Sequence, residues 1–178
     1  MIPFGKCEWL RASRNHELTD DEGDTTIFGG KPAFSGDIRI GSLPELHDYA
    51  FISALAILAE KKHMIENLFI SEEPNEAGVF GVKLLKDGHK IEVLIDDFVP
   101  VESDSLSPAF SRCKQDQLWV ILLQKAYAKI NGSYSRLTNA ALPDIMRDFT
   151  GAGESITNDF ADELYDLDDP ETIEEWKS

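Results

Sequence analysis

Apolar residues recur at three- and four-residue spacings between Asp48 and Phe69 (Phe51, Ile52, Leu55, Leu58 and Ala59), and this period predicts a helix with Asp48 as its cap. Ile57 and several alanines make that stretch apolar nearly all round, the pattern of a helix buried in a core, and the charged run Glu60-Lys61-Lys62-His63 marks where it emerges. The period then changes to two. Gly78–Leu85 and Lys90–Ile95 are β-prone runs flanking Lys86-Asp87-Gly88-His89, and Asp-Gly between two such runs predicts a hairpin, with Pro100 closing its second strand. A second helix is predicted from Asp116 to Asn131, with Leu118, Trp119, Leu122, Leu123, Ala126, Tyr127 and Ile130 on one face and Gly132 as a left-handed stop. A short helix follows over Pro143–Phe149, and Thr150-Gly151-Ala152-Gly153 ends the compact part.

This order divides the chain into an N-terminal extension or loop over 1–30, a compact unit over 31–153 and a tail over 154–178. The fold class expected is mixed α/β: a buried central helix, further helices and a small antiparallel sheet.

Charge sharpens the division. Of the net −16, residues 154–178 carry −9 and the preceding 153 residues −7, so the acidity is mainly a property of the tail. Nucleic acid and anionic membrane surfaces are disfavoured partners for such a chain. No apolar run approaches the roughly 18 residues that span a bilayer. The N-terminus has neither a secretory pattern nor a glycine after Met1. Cys7 and Cys113 make neither a metal pair nor a disulfide framework, which points to a reducing, intracellular and cytoplasmic setting.

Three segments resemble the calpain cysteine-protease core. Leu122-Leu123-Gln124-Lys125-Ala126-Tyr127-Ala128-Lys129-Ile130-Asn131-Gly132 with the later Asp148-Phe149-Thr150-Gly151 is the most specific. Val93–Pro100, with its Asp96-Asp97 pair, is the second, and Asp37-Ile38 with Gly41 and then Asp48–Ala56 is the third. The resemblance implies the first of two subdomains that face each other across a cleft. That subdomain carries the nucleophilic cysteine at a helix start, while histidine and asparagine come from the second. A thiolate needs a helix N-terminus and a neighbouring imidazolium, and oxyanion donors supply much of the remaining rate.

At each of those points this sequence departs from the family pattern. The cysteine position falls on Tyr49, and a phenol, ionising only near about pH 10, substitutes poorly for a thiolate. The tryptophan that follows falls on Ala50, and the oxyanion-hole glutamine falls on Ile40, which has no side-chain donor. The glycine before Asp48 is His47, and extra residues near Pro44-Glu45-Leu46 lengthen the elbow. The last histidine is His89, so the second subdomain's histidine is not in this sequence. Neither Cys7 nor Cys113 stands at the elbow. The resemblance therefore implies a catalytically inactive chain, with Ile40, Tyr49 and Ala50 as a face that binds a protein instead.

The family also holds calcium through backbone carbonyls and two acids. One acid falls on Asp37 and the other on Gln117, which has lost the charge, so calcium is not an expected cofactor and loop bracing is the better reading of Asp37. Bracing is likewise expected of Asp96 and Asp97, and solvent exposure of His63 and His89. Small calpain-like proteins without catalytic residues are numerous in protists, where several are tied to cytoskeleton or flagellum. That analogy makes a scaffold with cytoskeletal, axonemal or ciliary partners the favoured expectation, ahead of a regulator of an active calpain-like protease.

Overall fold

The Asp87-Gly88 turn organises the most regular element of the computed structural model, which describes residues 7–15, 18–19, 26–28, 35–42, 48–70, 77–113 and 117–152. Strands β3 (Val79–Lys86) and β4 (His89–Asp96) pair antiparallel without interruption from Val79 opposite Asp96 to Lys86 opposite His89. Asp87 and Gly88 take φ of 51° and 77°, the two-residue turn whose twist matches the strands it joins. The connection is thus two residues shorter at its tip than the sequence suggested. Phe80, Val82, Leu84, Val93 and Ile95 alternate into the core.

β5 (Phe98–Glu102) follows at once and pairs antiparallel with β1 (Cys7–Arg11), placing Trp9 opposite Pro100. Two expectations are corrected here. Pro100 does not close the hairpin's second strand; it lies inside a third strand, which pairs in a two-stranded ladder where a missing N–H can face away from the partner. Residues 1–30 are not simply an extension or loop, because β1 is a strand of the fold and Leu18 and Ile27 are fully buried. A third ladder joins β2 (Ile38–Arg39) to β6 (Arg112–Cys113), antiparallel, with Ile38 opposite Cys113. Among the described residues, the small sheet expected is realised as three separate ladders.

The long helix expected over Asp48–Phe69 breaks into α1 (Tyr49–Ala59) and α2 (Lys62–Glu66) at Lys61, whose φ of −120° and ψ of 85° leave the helical region. The break turns the chain back onto the hairpin: the Ile70 N–H donates to the Gly81 carbonyl at 2.9 Å, and the Lys83 N–H donates to that of Leu68 at 2.6 Å. Nor is α1 buried all round. Phe51, Ala54, Leu55, Leu58 and Ala59 face inward, while Tyr49, Ser53 and Ile57 are exposed.

The central helix is instead α3 (Trp119–Asn131), nine of whose thirteen residues are buried. It lies against the hairpin and β6, so its expected single apolar face extends to Val120, Ile121 and Ala128. Gly132, at φ 94°, ends it as anticipated. Its first amides are satisfied from a distant segment: Leu118 donates to the carbonyls of Thr26 and Ile27, and Trp119 to that of Ile27, at 3.0–3.1 Å. Helix α4 (Leu142–Thr150) starts with Pro143 in its first turn and ends at Gly151, φ 70°. Phe51 of α1, Tyr127 of α3 and Phe149 of α4 pack ring against ring at 5.5–6.0 Å and join the three helices. The architecture is mixed α/β.

Candidate functional site

The start of α1 is built by a buried carboxylate. Asp48, 6% exposed, takes the cap position but makes no side-chain hydrogen bond to the helix, so the expected side-chain cap is absent. Its Oδ2 instead accepts the Ser111 hydroxyl at 2.7 Å and the Gln124 side-chain amide. Those bonds tie α1 both to α3 and to the segment that runs into β6. β6 in turn pairs with β2, and the Ser42 N–H donates to the Pro108 carbonyl at 2.9 Å. Gly41 makes the approach possible: a Cβ there would stand 2.3–2.4 Å from backbone atoms of Ala109 and Phe110. Positions 40 and 49 therefore belong to one braced unit.

The residues expected to form the site fall as follows. Tyr49 opens α1 and is 53% exposed; Ile40, just beyond β2, is 55% exposed; Ala50 is half-buried against the core. His47 and the Pro44–Leu46 elbow lie outside the described residues. Cys113 is buried in β6 opposite Ile38 and Cys7 is half-buried in β1; no disulfide joins them, and neither stands at the start of α1. His63, in α2, and His89, at the hairpin tip, are exposed as expected. Ser111 and Gln124 were missed by sequence reasoning. The available signal was Gln124, an amide inside an otherwise apolar helical run.

Asp96 and Asp97 brace, as expected, and do not form a dyad. Asp97 accepts Arg11 Nε at 3.0 Å and pairs with its Nη2 at 3.0 Å. Asp96 accepts the Phe98 N–H at 2.8 Å and Lys125 Nζ at 2.5 Å. Partial burial works against the Asp96 anion, but these donors outweigh it and hold the carboxyl below the usual carboxylate range. Lys125 also lies 5.2 Å above the Trp9 ring, fastening α3 to β1. Deeper in, the Tyr127 hydroxyl donates to Asp148 at 3.1 Å; burial, then the neighbouring Asp148 charge, push the phenol's pKa up.

The two positions that the resemblance assigns to calcium do come together, but as a hydrogen-bonded pair. Gln117 Nε2 donates to Asp37 Oδ2 at 3.5 Å, and Gln117 Oε1 accepts the Trp119 indole N–H at 3.1 Å. A cation needs acceptor oxygens, whereas the amide turns its donor toward the carboxylate and spends its oxygen on the indole. As oriented, the pair offers a cation the Asp37 carboxylate alone, where the resemblance implies two acids.

The chain matches the family described as "Calpain family cysteine protease" over residues 3–171. It is 37% identical over 153 residues to the calpain-type cysteine protease ADL1 of Oryza sativa subsp. japonica, covering 84% of this chain and 7% of that protein. It is 36% identical over 132 residues to calpain-10 of Rattus norvegicus (71% and 19%) and 32% identical over 160 residues to the calpain-1 catalytic subunit of Gallus gallus (90% and 20%). It thus spans a fifth or less of the length of these relatives. With a family match over nearly all the residues that build the α1–α3 framework, this chain belongs to the calpain family of cysteine proteases.

Proposed function

We propose that this chain is a non-catalytic calpain-family protein that acts as a scaffold or protein-interaction subunit. The observation that carries the reading is the exposed stripe at the site itself: Tyr49, Ser53 and Ile57 follow one another at four-residue spacing along α1, with exposed Ile40 just beyond the strand that the braced unit holds in place. Nothing in that set activates a nucleophile. Tyr49 offers a phenol where the resemblance places a thiol, Ile40 offers no side-chain donor, and the Asp48 carboxylate is occupied by Ser111 and Gln124. Half-exposed apolar side chains on a rigid helix suit an interface better than they suit solvent. A cytoskeletal or ciliary partner is the expectation we carry, by family analogy alone. Among the described residues no helix is long and apolar enough to cross a membrane.

Two experiments test the reading. Casein incubated with the chain and calcium should remain intact; cleavage abolished by Cys113→Ser or Cys7→Ser would overturn it. Affinity purification from the native source should recover tubulin or axonemal proteins, and the complex should protect the α1 amides from hydrogen exchange. Recovery of a catalytic protease would replace the scaffold by a regulator. Protection confined to the opposite face of the molecule would remove Tyr49 and Ile40 from the interface.

A further inference from the structure

Gln117 stands between a group that can only donate and a group that, ionised, can only accept. The indole N–H of Trp119 has no lone pair to offer, and the Asp37 carboxylate has no proton to give. Only one amide orientation serves both, with Oε1 on the indole at 3.1 Å and Nε2 on Asp37 at 3.5 Å, the second contact being at the long end of the hydrogen-bond range. Turning the amide over would set donor against donor and oxygen against carboxylate. Two of the three members are out of solvent, Gln117 being 3% exposed and Trp119 fully buried, while Asp37 is half-buried at the edge. The connection spans 80 positions of sequence, from the 3₁₀ turn Ser35–Asp37 that leads into β2 to the start of α3.

A carboxylate at position 117 would receive the indole proton equally well, but it would face Asp37 with a second negative charge. Two carboxylates at that separation require a shared proton or a bound cation, and a set of hard oxygens selects calcium. We infer that Gln117 replaces a bound cation with an amide, so that the Asp37–Gln117–Trp119 latch holds the β2 segment, and with it Ile40, without metal. This inference is independent of whether the chain is catalytic. It assigns to the chain a site geometry that calcium neither builds nor releases.

The test compares the full chain and Gln117→Glu in excess EGTA and in millimolar calcium chloride, by thermal unfolding and calorimetric titration. The wild-type Tm should be the same in both solutions. In EGTA, Gln117→Glu should melt lower than wild type by roughly 5 °C or more, and calcium should restore it with measurable binding. A wild-type Tm that rises with calcium, a variant as stable as wild type in EGTA, or a destabilisation that calcium leaves unrepaired would each overturn the inference. Should the variant fail to fold, the wild-type Trp119 indole N–H resonance, assigned with Trp119→Phe, decides. Slow exchange and an unchanged shift on adding calcium support the latch; a calcium-induced shift refutes it.

Discussion

Ser111 donates its hydroxyl to the Asp48 carboxylate at 2.7 Å across 63 positions of sequence, and Gln124 donates to the same oxygen. Removing the shared acceptor strands both donors in the interior. Asp48→Ala should therefore destabilise the chain by about 2–4 kcal/mol, whereas Ser111→Ala, which leaves Gln124 on Asp48, should cost about 1 kcal/mol. Urea unfolding of the two variants checks the ranking. Equal losses would mean that Asp48 is not the hub.

Gly41 and Gly132 are both expected to resist substitution, but for different reasons. A Cβ at Gly41 would lie 2.3 Å from the Ala109 carbonyl oxygen, where only backbone could give way. Gly41→Ala should cost about 3 kcal/mol or more and expose the Ile38 and Cys113 amides to exchange. Gly132 has φ 94° and open space around it, so Gly132→Ala should cost only the left-handed backbone penalty, about 1 kcal/mol.

Restoring sulfur should not restore chemistry. Tyr49→Cys places a thiol at the first residue of α1, yet Ile40 still provides no side-chain donor, and His63 lies in α2, beyond the far end of α1. The variant should react with iodoacetamide and leave casein intact in calcium. Turnover by Tyr49→Cys would show that a competent site needed only its nucleophile.

Asp96 and Asp148 should tilt the acid limb of stability in opposite directions. The folded Asp96 carboxyl lies below its ordinary range, so its contribution is complete above the unfolded value of about 3.9 and is lost as pH falls through the lowered folded value. Burial pushes Asp148 up, despite the opposing Tyr127 hydrogen bond and the Lys86 and Arg147 charges. There the folded state binds the proton more readily, so stability declines as pH rises from about 3.9 through the raised value. Asp96→Asn should flatten the acid loss below about pH 4, and Asp148→Asn should remove the decline above it. Urea midpoints across a pH series measure both slopes, and a wild-type slope in either variant would contradict its assignment.

Local rules carried the sequence reading where the structure is local. The Asp87-Gly88 hairpin, the Gly132 stop and the Asp96 carboxylate's grip on the Phe98 N–H follow from neighbours a few positions away, whereas Asp97 braces through Arg11, 86 positions away. The ranking of the helices was inverted, because periodicity reports how apolar a face is and not what arrives to cover it. α1 reads as buried and keeps Tyr49 and Ile57 in solvent; α3 reads as one-faced and is enclosed by the hairpin and β6. β1 could not be read at all, since Cys7–Arg11 is extended only by virtue of a partner at 98–102. At the site, positions 37, 40, 49 and 117 were expectations drawn from the family pattern. The clamp on Asp48 depends on contacts 63 and 76 positions away; Gln124 stands out as an amide in an apolar run, but nothing local names its partner.

The two carbonyls of Thr26 and Ile27, which receive the first amides of α3, set a condition on how this chain comes into being. They leave the ribosome roughly ninety residues before the amides they serve, as Trp9 does before Pro100, so residues 7–11 and 26–27 can find their places only after residues 98–102 and 118–119 have been made. Pairings between such remote segments carry a large loop-closure cost before they return any gain, which makes assembly slow and all-or-none.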